Sequence, residues 1–186
     1  MVNKRTNKVD RITNDGKMAI VTLLNKALDV EYNNIMNYPR FIDQLVNINR
    51  MPDKQSAWVL EHLGKDSVRH SGVVVQLIEQ LGGEFHLSVD TVDRISNIDD
   101  MLRQQMGKEK QALSIFRQAK EVSSHNQVEE RRSILEQMFR VKRDRPDDPV
   151  KRSSVTRLLT KLMEDEEHHI IILKEVMSKL NVEMQE

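Results

Sequence analysis

The 186-residue chain contains no cysteine. That excludes disulfides, thiolate-bound zinc, iron–sulfur clusters and thiol catalysis. Glycine and proline are scarce, at 6 and 4 residues, which argues against a turn-rich β architecture. Aromatics supply 4% of the residues and methionine supplies ten, so Leu, Met, Ile and Val must fill the core. There is no surplus of either charge, with 29 basic and 29 acidic residues. Nucleic acid is therefore not the expected partner, because phosphate binding draws on a basic excess. The basic head carrying Lys4, Arg5, Lys8 and Arg11 reads as a solvated, disordered tail over residues 1–16. No apolar run approaches the roughly 20 residues that a membrane span needs. Residues 1–16 also lack the apolar segment of a secretory signal, so the expected compartment is the cytoplasm.

What is present is a helix-forming pattern. Apolar residues make up 38% and charged residues 31%, a mixture suited to long amphipathic helices. The spacing predicts a first helix over 17–47, with Pro39 inside it as an expected kink. A second helix is predicted from Pro52 or Asp53 to Leu81, stopped by Gly82-Gly83. A third runs from about Ile98 to Val122, with Ser96 or Asn97 as N-cap. A fourth runs from about Ser153 to Leu180. Between the third and fourth lies a charged helical pattern over 127–143, then a loop with two prolines. Length and connections predict one all-α domain over 17–186, a four-helix bundle. It has a long link between the second and third helices and an extra charged helical insertion before the last.

The informative residues are ionisable groups that interrupt the apolar stripes. In the fourth helix the stripe reads Val155, Leu159, Leu162, Glu166, His169, Leu173, Val176, Leu180. Spacings of three and four keep these on one face. The third helix reads Leu102, Gln105 or Met106, Glu109, Ala112 or Leu113, Phe116. The first reads Leu24, Leu28, Glu31, Ile35, Tyr38. The second reads Val59, Leu63, Asp66 or Ser67, His70, Val74, Leu77, Leu81. Each helix thus brings a carboxylate or an imidazole to the middle of the bundle. A buried, unpaired carboxylate costs several kcal/mol or more. No Lys or Arg stands in the stripes at that level, and a pair of divalent cations balances the charge. Carboxylate oxygen and imidazole nitrogen suit iron, manganese or zinc. Asp165, Glu61 and Glu167 read as surface charges, and His62, His86, His125 and His168 as structural or exposed.

These residues resemble the ferritin-like di-iron carboxylate family, nearest to bacterioferritins and rubrerythrins. LLNKALDVE, ending at Glu31, is similar to the family's first ligand segment, and Tyr38 matches a tyrosine often beside the metals. LRQQMGKE, ending at Glu109, is similar to the third-helix segment. DEEHHIIIL, with Glu166 and His169, is similar to the fourth, and His70 with LIEQLGG to the second. The resemblance implies a ferritin-like bundle holding two iron ions. It takes one Glu from each of two helices and a Glu-x-x-His pair from each of the others. Here the second pair reads Ser67-Val68-Arg69-His70, so a bridging glutamate is missing and the second metal position is in question. Asp66, one residue earlier, is a substitute ligand. Val68 stands where the haem-binding methionine of the family would fall, so no haem is expected. The 57-residue interval from Glu109 to Glu166 is longer than in bacterioferritins.

The resemblance implies an oxidase of ferroxidase type, consuming dioxygen or peroxide. Its ligands would be Glu31, His70, Glu109, Glu166 and His169, and Tyr38 would donate a hydrogen bond or an electron. A homodimer or larger assembly is the expected state. The alternatives are a metal-binding bundle without turnover and a metal-free helical interaction protein.

Overall fold

The computed structural model describes residues 14–50, 53–88, 97–125 and 155–182. The expected tail up to residue 13 and the charged insertion within 126–154 lie outside the described residues. Four helices carry the described chain: α1 (Asn14–Asn47), α2 (Lys54–Gln80), α3 (Ile98–His125) and α4 (Val155–Lys179). The four helices pack as a bundle, as expected. α1 starts at Asn14, three residues before the predicted onset, and stays helical through Pro39, whose ring is exposed.

Local chemistry sets the helix ends. Asp53 caps α2 from extended backbone, and its carboxylate accepts the Ser56 N–H at 2.6 Å. This hydrogen bond, with help from Lys179, lowers the Asp53 pKa to about 2. Asn97 plays the same part for α3, accepting the Asp99 N–H at 2.9 Å. α1, α2 and α4 stop alike, each with a left-handed residue: Asn49, Gly82 and Asn181. In each the next residue donates back across the turn, Arg50 to Leu45, Gly83 to Ile78 and Val182 to Met177. That is the Schellman closure, which satisfies carbonyls left over at a helix end.

Contacts fix the directions. Gly64 of α2 approaches Tyr38 of α1, and Gly83 approaches Val21, so α1 and α2 run antiparallel. A Cβ on Gly83 would come within 2.6 Å of the Val21 side chain, which explains glycine there. Glu109 meets His169 and Ser123 meets Thr156, so α3 and α4 are antiparallel as well. Tyr38 meets Glu109 and Arg50 meets Asp99, so α1 also opposes α3. α2 and α3 therefore run parallel, joined by the link that follows α2. Its described part is tied to α1: Asn25 binds the Glu84 carbonyl and the His86 N–H, and Asp29 accepts the Ser88 N–H.

The core falls into two apolar clusters. One gathers Ile20, Leu24, Leu28, Val74, Leu77, Phe116 and Leu159; the other gathers Tyr38, Phe41, Leu60, Leu63, Leu102, Met106 and Leu173. Between them lies a polar layer of Glu31, Asn34, Ser67, His70, Gln105, Glu109, Glu166 and His169, all buried. Among the described residues no helix is long and apolar enough to cross a membrane.

Candidate metal centre

The 3.6-residue period that buries the stripes also aims the layer inward. Glu31 and Asn34 lie one turn apart on α1, as do Ser67 and His70 on α2, Gln105 and Glu109 on α3, and Glu166 and His169 on α4. The two imidazoles stack at 5.3 Å between ring centroids, with planes 19° apart. Their Nδ1 atoms face the interior. His70 Nδ1 lies 3.3 Å from Glu31 Oε1 and 2.8 Å from Glu166 Oε1. His169 Nδ1 lies 3.2 Å from Glu109 Oε2 and 3.7 Å from Glu166 Oε2. Glu166 thus stands between two similar sets, Glu31–His70 and Glu109–His169. One donor atom from each of His70, Glu166 and His169 can be chosen so that all lie within 4.8 Å of one another.

The interior lacks enough hydrogen bonds for its charge. Glu31 Oε2 and both Glu166 oxygens are buried and have no hydrogen-bond partner among the described residues. Glu166 Oε1 is close to His70 Nδ1 yet outside hydrogen-bond geometry. Orphaned buried carboxylate oxygens are rare, because each forfeits its hydration. Oxygen and nitrogen donors converging in this way fit hard or borderline divalent cations.

The protonation states follow the same logic. Burial, then the neighbouring Glu166, lifts Glu31 to a pKa of about 8. Burial also raises Glu109. For both histidines burial works downward, but the carboxylates win. Asp165, Glu166 and Glu31 hold His70 at about 11, and Glu109 and Glu166 hold His169 at about 10. Burial would raise Glu166 too, yet His169 and His70 outweigh it and hold it well below the usual carboxylate range. Without metal the cluster is therefore kept together by imidazolium–carboxylate pairs. Tyr38 is pushed well above its ordinary value by burial and by Glu109, so its phenol keeps its proton and donates it at 2.7 Å to Glu109 Oε1.

Glu31, His70, Glu109, Glu166 and His169 all reach this layer, and Tyr38 touches it through Glu109. Asp66 sits elsewhere. One residue is about 100° around a helix, so Ser67 takes the interior position and Asp66 turns to the rim. There Asp66 Oδ2 lies 3.4 Å from Nε2 of His169, the outer nitrogen. Asp165, read as a surface charge, has the matching place: its side chain is 14% exposed and its Oδ2 lies 3.4 Å from His70 Nε2. Arg69 ties the two aspartates together at 3.1 and 3.0 Å, and Lys161 holds Asp165 at 2.7 Å. Burial raises the Asp165 pKa, but His70, Lys161 and Arg69 prevail and keep it ionised. Each aspartate accepts from the outer N–H and leaves the inner nitrogen to act as a ligand. A repeat carried the signal: Asp66-x-x-x-His70 and Asp165-x-x-x-His169.

Sequence reasoning also missed Asn34 and did not single out Gln105. Both are buried beside Glu109. Ser67 is fully buried and its hydroxyl has no hydrogen-bond partner among the described residues.

The four antiparallel-packed helices have the fold of a ferritin-like bundle. Among solved structures the chain is similar to a bacterioferritin from Rhodobacter capsulatus, whose dinuclear site was metal-free and which contains haem iron. The TM-score is 0.56 at 16% identity, over 87% of this chain and 85% of that one. At that identity the likeness concerns the fold. No family model and no curated protein matches the sequence.

Proposed function

We propose that the chain is a di-metal carboxylate protein that binds ferrous iron and oxidises it, with dioxygen or peroxide as the electron acceptor. The observation that carries this reading is the set of orphaned carboxylate oxygens between two inward-facing imidazole nitrogens. Glu31, His70 and Glu166 would hold one ion; Glu109, His169 and Glu166 would hold the other. Bound iron supplies one-electron redox chemistry that none of these side chains has. The chain's own residues do the rest. Asp165 and Asp66 orient the imidazoles and stabilise positive charge on them. Tyr38 holds Glu109 in place and keeps a phenolic proton beside the centre. The two apolar clusters restrict water from both ends.

The orphaned carboxylate oxygens favour this reading over a metal-free bundle. Two divalent ions would bring four positive charges against three glutamates and give the Glu31 and Glu166 oxygens the partners that the imidazolium–carboxylate pairs leave unmet. A second reading is metal binding without turnover, and Ser67 in the bridging position favours it, since it removes a shared donor. Manganese or zinc suits the same donors. Val68 offers a haem no ligand atom, so haem is not part of the proposal. Pairing with a second copy is part of it, with exposed Trp58 and Val68 on α2 available to be covered.

The test is anaerobic loading of untagged protein with ferrous iron, followed by oxygen addition. Two irons bound per chain and oxygen uptake in proportion support the oxidase. Stoichiometric binding without oxygen uptake supports the second reading. Absence of stoichiometric metal overturns both.

A further inference from the structure

The two halves of the centre differ in one respect that the ligand identities hide. Glu109 Oε1 accepts three hydrogen bonds: from Tyr38 Oη at 2.7 Å, Gln105 Nε2 at 2.7 Å and Asn34 Nδ2 at 3.1 Å. Gln105 Nε2 also donates to Asn34 Oδ1 at 2.8 Å, so the two amides lock each other. Their orientation is dictated chemically, because only the NH2 ends can face a carboxylate. Both amides are fully buried. Three donors exhaust the lone pairs of that oxygen, which leaves Oε2 alone beside His169. Across the centre Glu31 has no such clamp. Among the described residues its Oε1 hydrogen-bonds His70 alone, and its Oε2 has no hydrogen-bond partner.

We infer that the buried Asn34–Gln105 couple makes the two metal positions unequal by fixing Glu109 as a one-oxygen ligand, so that metal fills the Glu31–His70–Glu166 position first. This rests on the di-metal reading above. The first position can offer four protein donor atoms: both Glu31 oxygens, His70 Nδ1 and one Glu166 oxygen. The second offers three: Glu109 Oε2, His169 Nδ1 and the other Glu166 oxygen. Ser67 contributes no carboxylate to either side, so nothing evens out the difference. Asn34 and Gln105 act as positioning residues, through Glu109.

The experiment is an anaerobic cobalt(II) titration of the metal-free protein, followed by absorption and calorimetry. Wild type should bind in two steps separated by roughly ten- to a hundredfold, the range over which outer hydrogen-bond partners act on ligands. Glu31→Gln should remove the tight step and Glu109→Gln the weak one. Gln105→Leu should tighten the weak step and leave the strong one unchanged, because it removes one donor from Oε1 and unlocks Asn34, a second, leaving Oε1 room to reach the metal. Tyr38→Phe removes a different donor from the same oxygen and should narrow the gap in the same direction, which covers the case in which Gln105→Leu fails to fold. Two steps of equal affinity in wild type, or a gap that the foldable donor variants leave unchanged or widen, overturn the inference while leaving the di-metal reading intact. Failure to bind cobalt, manganese or iron at all overturns both.

Discussion

Replacing Ser67 with glutamate should move the protein without metal and the loaded protein in opposite directions. Ser67 is fully buried and one turn from His70, with its hydroxyl unpartnered, so a carboxylate placed there joins Glu31, Glu109 and Glu166 in one layer. At a separation of about 5 Å and an effective dielectric near 20, each like-charged pair costs about 3 kcal/mol. The protonated histidines, held at about 11 and about 10, return part of that. The new group can also stay protonated, which caps the penalty. A net loss of about 3 kcal/mol for the metal-free protein is a reasonable scale, and in a chain of this size it lowers the melting temperature by roughly 6–12 °C. With two divalent ions bound the sign reverses. Three glutamates leave the centre with one excess positive charge and a fourth neutralises it. The assay is thermal melting of Ser67→Glu and wild type, each with a chelator and each with saturating cobalt or ferrous iron under nitrogen. The variant should melt below wild type with the chelator and gain more than wild type on loading. Equal destabilisation in both conditions would mean that Ser67 does not face a cation site, and would refute the reasoning.

Two further outcomes follow from the protonation states and the rim. The folded pKa values of His70 and His169, about 11 and about 10, lie above the ordinary 6.5. Their stabilising contribution is therefore complete below about pH 6.5 and is lost as pH rises through 10 and 11. Glu31, raised to about 8, acts in the same sense: its charged form is disfavoured in the fold, so stability falls as pH climbs from about 4.5 to 8. Melting of the chelated protein should thus decline from pH 6 to pH 10, and a flat or rising profile would contradict the pairing described. Asp165→Asn keeps every interior donor and removes the charge behind His70. It should weaken metal binding roughly ten- to a hundredfold, read by competition with a chromophoric chelator, whereas unchanged affinity would make Asp165 a surface charge after all.

Much of the fold was written in the helix period. Val155, Leu159, Leu162, Leu173 and Val176 were legible as one buried stripe, and Glu166 and His169 were legible as the groups that broke it. Asp53, Asn97 and Gly82 marked helix ends through chemistry confined to a few neighbouring residues. The α1 stripe was one residue off at that level: Asn34 is fully buried and Ile35 is not, because polar partners on α3 reward an amide there. Nothing in α1 alone reveals that.

By itself, then, the sequence determined most of the side chains that each helix would bury, Asn34 excepted, since that depends largely on spacing within one element. It thereby set the carboxylate and imidazole layer. Only the tertiary structure decided which groups face one another. Asp165 belongs to His70 and Asp66 to His169 because α2 and α4 run antiparallel, which exchanges the aspartates between helices. Asn34 and Gln105 clamp Glu109 because α1 packs on α3. Those pairings join residues up to 103 positions apart. Local periodicity carries no information about such distances, whereas the geometry of helix packing does.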